Sequence, residues 1–207
     1  MQTLIDTMKT RRSIRKYLPK PVPSEIILDL LESAGQAPSA HNSQPWRFIV
    51  LMDENPKHEL AKAMAQVWRK HMKKDDTPEK LRESLIKKSI ERFSEAPAII
   101  IACITMQEMP MHKKRSAQLN ERDMAVQSLS AAIQNILLTA SSKKLGTCWY
   151  CTPLFCKIIV QHNLGMPHEI EPQALITLGY PAEDPPMPPR KPIEEYCFLN
   201  KWNQKLQ

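Results

Sequence analysis

Four cationic side chains fall within eight residues at Thr10-Arg11-Arg12-Ser13-Ile14-Arg15-Lys16-Tyr17, together with the hydroxyl of Ser13. Guanidinium forks match a phosphate or carboxylate in geometry, and a nearby hydroxyl can donate to the same oxygens, so the stretch can hold one small anion with several donors at once. A solvated basic turn fits the composition equally well. A second group, Cys148-x2-Cys151-x4-Cys156 followed by His162, has nominal zinc-ligand spacing. Between its members Leu154, Phe155, Ile158, Ile159 and Val160 read as core residues, which favours buried, reduced cysteines. A Cys148/Cys151 redox pair lacks the strand-to-helix junction that such chemistry uses. The histidines at 41, 58, 71, 112, 162 and 168 are scattered, without the i, i+4 pairing of a metalloprotease helix. No nucleophile elbow, phosphate loop or GxGxxG is present. If the chain is an enzyme, a bound cofactor is expected to carry the chemistry, with no side chain singled out as catalytic.

These residues must be positioned by the elements around them. Leu4, Ile5 and Met8 give one face of a first helix that runs into the basic cluster, and Pro19, Pro21 and Pro23 stop any continuation. Ser24 reads as the N-cap of a second helix with Ile27, Leu30, Leu31 and Ala34 on one face. The polar stretch Pro38 to Pro45 has little reason to be buried except around a ligand, and Trp46 to Val50 alternates as a strand should. Asn55-Pro56 and Thr77-Pro78 each read as a cap followed by proline in the first turn, opening a helical insertion at about 56–94. From Lys62 to Arg92 ten Lys and Arg stand against five Asp and Glu, so its outer face is charged; no aromatics interleave for base stacking, which favours a solvated face over a nucleic-acid surface. On that inserted helix Trp68 and His71 are the candidate substrate-side residues, with core and surface as their respective alternatives.

Ala98 to Ile104 is expected to be a strand buried on both faces. Asn120 to Ser142 is the longest helical pattern and is apolar on more than one side, so it must be covered all round by its own domain or by a second subunit. Lys143-Lys144-Leu145-Gly146 reads as a basic helix end with Gly146 as the left-handed cap residue. A short helix from Pro153 to about Asn163 and a strand from Gln173 to Tyr180 follow. Six prolines between Pro181 and Pro192 then make an extended arm, 181–207, with Arg190-Lys191 on it.

With 207 residues, 42% hydrophobic, the chain reads as a single domain, 1–207. Its net charge of +7 favours anionic ligands. There is no run of 18 apolar residues and the first residues lack the apolar core of a signal peptide, so a cytoplasmic location with reduced thiols is expected and no membrane partner.

Two stretches, Arg11-Arg12-Ser13-Ile14-Arg15 and Ala37-Pro38-Ser39-Ala40-His41-Asn42-Ser43-Gln44-Pro45-Trp46-Arg47-Phe48, together resemble the paired signature of the FMN-dependent nitroreductase family. The resemblance continues through Gln134 to Leu138, Leu145-Gly146-Thr147-Cys148-Trp149, Leu178-Gly179-Tyr180-Pro181 and Arg190-Lys191-Pro192. It implies an α+β fold, a three-layer α/β/α sandwich with a mainly antiparallel central sheet, built as an interlocked homodimer with FMN at the interface. By the same resemblance, Arg11, Ser13 and Arg15 hold the FMN phosphate and ribityl chain, Arg12 stands at the adjacent backbone, and Arg190 reaches the same phosphate. Pro38, Ser39 and Asn42 come from the partner subunit, while Gly146 and Thr147 face the reactive edge of the ring. The implied activity is hydride transfer from NAD(P)H or a reduced deazaflavin (F420) through FMN to a small organic acceptor. The Gly146 to Cys148 turn with Cys156 and the insertion around Ala63 to His71 are most similar to the C-terminal flavin domain of the bifunctional coenzyme F420 biosynthesis protein, making reduction of a dehydro-F420-type precursor one alternative. Asn42-Ser43-Gln44 matches general nitroreductases instead. The alternative from another class is a zinc or nucleic-acid binding module built on Cys148, Cys151, Cys156 and His162.

Overall fold

The computed structural model describes residues 3–205. Its helices are α1 (Leu4–Thr10), α2 (Ser24–Gly35), α3 (Glu54–Lys74), α4 (Glu79–Ser94), α5 (Arg115–Ser142) and α6 (Lys157–Asn163). Its strands are β1 (Trp46–Leu51), β2 (Ala98–Ile104), β3 (Gly146–Tyr150) and β4 (Glu171–Gly179), in the sheet order β1-β2-β4-β3 with every neighbouring pair antiparallel. The isoleucine run forms the inner strand β2, and all seven of its residues are buried.

Successive strand side chains point to opposite faces, and that alternation divides the interior into two cores. Ile100, Ala102 and Ile104 on β2, with Ala174, Ile176 and Leu178 on β4, pack under α5 and α2. Ile99, Ile101 and Cys103, with Leu175, pack against Leu60 and Met64 of α3, Phe93 of α4 and Val160 of α6. The result is the three-layer α/β/α sandwich. Helix α5 is covered on one side by the sheet and on another by α2, where Asn135 donates its amide to the Ser33 carbonyl at 2.9 Å. Among the described residues no helix is long and apolar enough to cross a membrane.

Several element ends differ from the sequence reading. Asp53 stands in the N-cap position of α3, so the helix begins two residues before Pro56, which falls where a helical N–H has no intrahelical acceptor to lose. Pro23, not Ser24, is the N-cap of α2. Helix α5 starts at Arg115 rather than 120. At its other end the left-handed residue is Lys144, at φ 60°, and Gly146 is already the first residue of β3. The short helix after β3 is two pieces, a 3-10 turn at Thr152–Phe155 and α6, separated where Cys156 takes φ −149° and ψ 37°.

Candidate flavin and substrate site

The basic segment is held in place from both ends. A capping box between Thr3 and Asp6 opens α1, and the chain leaves the helix at Arg11 in an extended conformation. Ser13 then bridges Thr147 in parallel, with the Ile14 N–H donating to the Thr147 carbonyl at 2.9 Å. Tyr17 donates its hydroxyl to the Ile14 carbonyl at 2.6 Å and shares a 2.6 Å hydrogen bond with the Thr177 hydroxyl. Residues 11–18 thus run along the sheet at the ends of β3 and β4. Gly146 makes that approach possible: a Cβ there would lie 2.6 Å from the Ile14 Cβ. The glycine's steric role is contact with this segment, and the Thr147 carbonyl is spent on it.

The proline-rich arm returns to the same place. Pro181 bridges Tyr17, the Ala182 N–H donates to the Lys16 carbonyl at 3.0 Å, and the Glu183 carboxylate accepts from the backbone N–H groups of Arg15 at 2.7 Å and Lys16 at 3.2 Å. Further along the arm, Arg190 comes near enough to Arg11 for its charge to be felt there. The Arg11 guanidinium is held below its ordinary pKa, first by burial and then by Arg190, with Arg12 adding to the effect and Cys148 opposing it. Among the described residues neither Arg11 nor Arg190 has a carboxylate partner and the Ser13 hydroxyl makes no hydrogen bond. Two like charges without a carboxylate partner, on a segment that also carries the Ser13 hydroxyl, suit an anion. Arg15 is exposed next to it, with one guanidinium nitrogen 3.3 Å from the Ser13 carbonyl. Arg12 differs: its guanidinium turns back onto the end of α1, donating to the carbonyls of Lys9, Thr10 and Arg11, where a cation satisfies groups that the helix leaves unpaired.

Pro38, Ser39 and Asn42 lie elsewhere in the protomer. The loop carries a 3-10 turn at Ala40–Asn42, and His41, Asn42 and Gln44 all have positive φ, at 56°, 52° and 46°. Such backbone persists only where its surroundings fix it. Here Ser128 accepts the Ala40 N–H at 3.1 Å, Ser39 accepts the Gln44 N–H at 3.0 Å, and His41 lies 3.3 Å from the buried Glu121, which His112 also contacts at 3.0 Å. Pro38 and Ser39 line a shallow cavity of about 300 Å³ along α5 that shares no residue with the Arg11 cluster.

Trp68 and His71 do meet in one cavity, of about 520 Å³, walled by α3, α4 and the chain after β3. Trp68 is no core residue: it is 37% exposed and faces this space. Sequence reasoning missed Arg92, Tyr150, Cys151 and Phe155, which line the same cavity. Tyr150 joins the two regions, because the charges of Arg92 and Arg15 are both felt at its hydroxyl. Burial first, then the adjacent Cys148 thiol, hold that phenol well above its ordinary pKa, and its oxygen is buried without a hydrogen bond of good geometry. Local periodicity contains no signal for such a junction, since Arg92 sits within a run of surface cations.

The zinc reading fails on geometry. Among the described residues no three His, Cys, Asp or Glu side chains are placed to share a metal ion. Cys148 is buried in β3, Cys151 is exposed at the cavity and Cys156 is buried at the break before α6. The apolar residues between them are also not core. Phe155 is 72% exposed and Ile158 77% exposed, and of the five only Val160 is buried, because the break at Cys156 turns the others outward.

Comparison with known proteins gives the family and the fold. A family model described as the nitroreductase family matches residues 8–180. YfhC of Bacillus subtilis (strain 168), which carries the name NAD(P)H nitroreductase, is 34% identical over 192 residues, spanning 93% of this chain and 91% of its own length. The solved structure of a BluB-like flavoprotein from Clostridium difficile 630 superposes with a TM-score of 0.79 at 25% identity, covering 97% of this chain and 100% of the other. The structure of oxidised iodotyrosine deiodinase bound to FMN and 3-iodo-L-tyrosine shares the fold, with a TM-score of 0.74 at 23% identity over 98% of this chain and 100% of that one.

Proposed function

The chain belongs to the nitroreductase family of oxidoreductases, and on that premise we propose that it binds FMN across an interlocked homodimer and passes electrons from NAD(P)H to a small organic acceptor in the cytoplasm. The observation that carries the reading is the approach of Arg190 to the half-buried Arg11, neither with a carboxylate partner among the described residues, on the segment that Ser13 ties to Thr147. That donor set suits a phosphate monoester. When bound, FMN supplies a ring that accepts a hydride from the nicotinamide and gives up two electrons to the acceptor.

The residues of the chain do the binding and placing. Arg11, Arg190 and Ser13 hold the phosphate, with Arg15 at its exposed side. Arg12 contributes by fixing the end of α1, which sets the direction in which Arg11 departs. Gly146 and Thr147 lie against the same segment and fix its depth on the sheet. Pro38, Ser39 and Asn42, on a loop whose left-handed residues are pinned by Ser39 and Ser128, are offered to the flavin of the partner subunit. Trp68 and His71 stand on the acceptor's side, within the larger cavity. The name of the B. subtilis relative favours a nicotinamide donor over a reduced deazaflavin.

The test is the colour and titration of the purified protein. It is expected to be yellow, and to bleach when NADH or NADPH is added anaerobically, with reduced F420 as the third arm of the donor panel. Arg11→Ala combined with Arg190→Ala is expected to give a colourless protein with the far-ultraviolet circular dichroism of the parent. A colourless parent that takes up no added FMN overturns the reading.

A further inference from the structure

We infer that the 520 Å³ cavity takes aromatic acceptors bearing a carboxylate, and that Arg92 is the residue that selects for the negative charge. The chemistry rests on the proposed flavin function; the ligand class rests on the cavity itself. Its buried side carries the rings of Phe93 and Tyr150, while Trp68 and Phe155, on the same wall, are 37% and 72% exposed. Phe93 meets Tyr150 edge to face at a centroid distance of 5.1 Å, so these two rings hold each other in orientation and Tyr150 offers a flat surface to another ring.

Arg92 stands over that end, its guanidinium carbon 5.9 Å from the centre of the Tyr150 ring. It makes no hydrogen bond or ion pair among the described residues, and a guanidinium stays charged at every working pH. The one carboxylate on the cavity wall, Asp75, is too far off to neutralise it. Contacts between His58 and Ser94 at 3.0 Å and between Arg69 and Glu83 at 2.7 Å fix the antiparallel register of α3 and α4. That register sets Arg92 level with Leu60, and Asp75 lies fifteen residues, roughly 22 Å, further along α3. The cavity is therefore polarised, with a cation at its aromatic end that has no ion-pair partner among the described residues and can accept the carboxylate of a ring lying against Tyr150.

The experiment compares 4-nitrobenzoate with its neutral methyl ester in the full-length, FMN-loaded protein. Each turn breaks one N–O bond of the probe: the nitro compound, NAD(P)H and one proton give the nitroso compound, NAD(P)⁺ and water. Arg92→Gln is expected to lower the ratio of kcat/KM for the acid to kcat/KM for the ester about tenfold, the scale of one charge-assisted contact, and Arg92→Lys to restore part of it. Calorimetric binding of benzoate, which needs no turnover, is expected to weaken about tenfold in Arg92→Gln. A ratio and a benzoate affinity indifferent to residue 92, or no benzoate binding in the parent, overturns the inference. Benzoate binding that depends on Arg92 in a protein that takes no FMN would uphold it while sinking the proposed function, so the two failures are distinguishable.

Discussion

Gly146 carries more of the site than its size implies. It is one of four glycines in the chain, and its backbone needs no left-handed conformation; what it needs is the absence of a side chain. An added Cβ would lie 2.6, 2.7 and 2.8 Å from three carbons of Ile14, which is itself buried and has nowhere to move. Gly146→Ala is therefore expected to destabilise the fold by about 1–3 kcal/mol, the usual range for overpacking a closed core. Because the clash pushes the Ser13–Thr147 bridge apart, it is also expected to weaken FMN retention, which a urea melt and a flavin-release assay on the same sample read separately. Unchanged stability would mean that residues 11–18 rest on the sheet more loosely than their hydrogen bonds indicate. The sequence marked Gly146 for other reasons, as a helix cap and, by the family resemblance, as backbone facing the reactive edge of the flavin. The left-handed position belongs to Lys144, and the partner that forces a glycine at 146 is more than a hundred residues away, where local pattern has no reach.

Among the elements, α5, α6 and β4 are tied by one carboxylate. Glu171, at the start of β4, receives hydrogen bonds from Arg122 of α5, from Lys157 at the start of α6 and from the Gln173 amide at 2.8 Å. Burial opposes its ionisation, but these three donors outweigh that and hold its pKa at about 2, against 4.5 for the unperturbed group. A carboxyl whose folded pKa is depressed stabilises the fold above its unfolded pKa and loses that contribution as pH falls through the folded one. Glu171→Gln is thus expected to cost about 1–2 kcal/mol at pH 7, discounted because the network is partly solvated, and the gap to the parent in urea midpoint should narrow at pH 3 and close near pH 2. A gap independent of pH would assign the loss to packing. Elements of this kind were legible where one period dominates: the seven buried residues of β2 and the long apolar pattern of α5 were both evident from residue type. The division of the chain after β3 into a 3-10 turn and α6 was not, because Leu154, Phe155, Ile158 and Ile159 imitate a core pattern while facing outward. Arg92 was hidden for the converse reason, as one cation among ten.

At the scale of the whole molecule, one protomer leaves the proposed site in two parts. Arg11, Ser13 and Arg190 gather at the ends of β3 and β4, whereas Pro38 and Ser39 line a separate cavity on α5. If both parts hold one flavin, two chains must supply them. The surface exposes Leu4, Ile5 and Met8 on α1, Ile158 beside the larger cavity, and Tyr196 and Trp202 on the C-terminal arm, the last 80% exposed. In the proposed homodimer such residues would be covered, and their burial must outweigh the repulsion between two chains of charge +7. The arm is the element best able to reach a second copy: its prolines keep residues 181–192 extended before a 3-10 turn at Ile193–Glu195 and a bridge between Phe198 and Lys205, and among the described residues only Pro181 to Glu183 of it are hydrogen-bonded to the basic segment. Light scattering is expected to give twice the 23.8 kDa chain mass. Tyr196→Glu with Trp202→Glu, which places two charges where the apolar arm would be covered, is expected to shift the protein toward monomer at micromolar concentration and to release FMN in parallel, with the secondary structure kept. A parent that is monomeric yet holds FMN tightly would overturn the two-chain site, and would require the Pro38 to Gln44 loop to have a purpose other than the flavin.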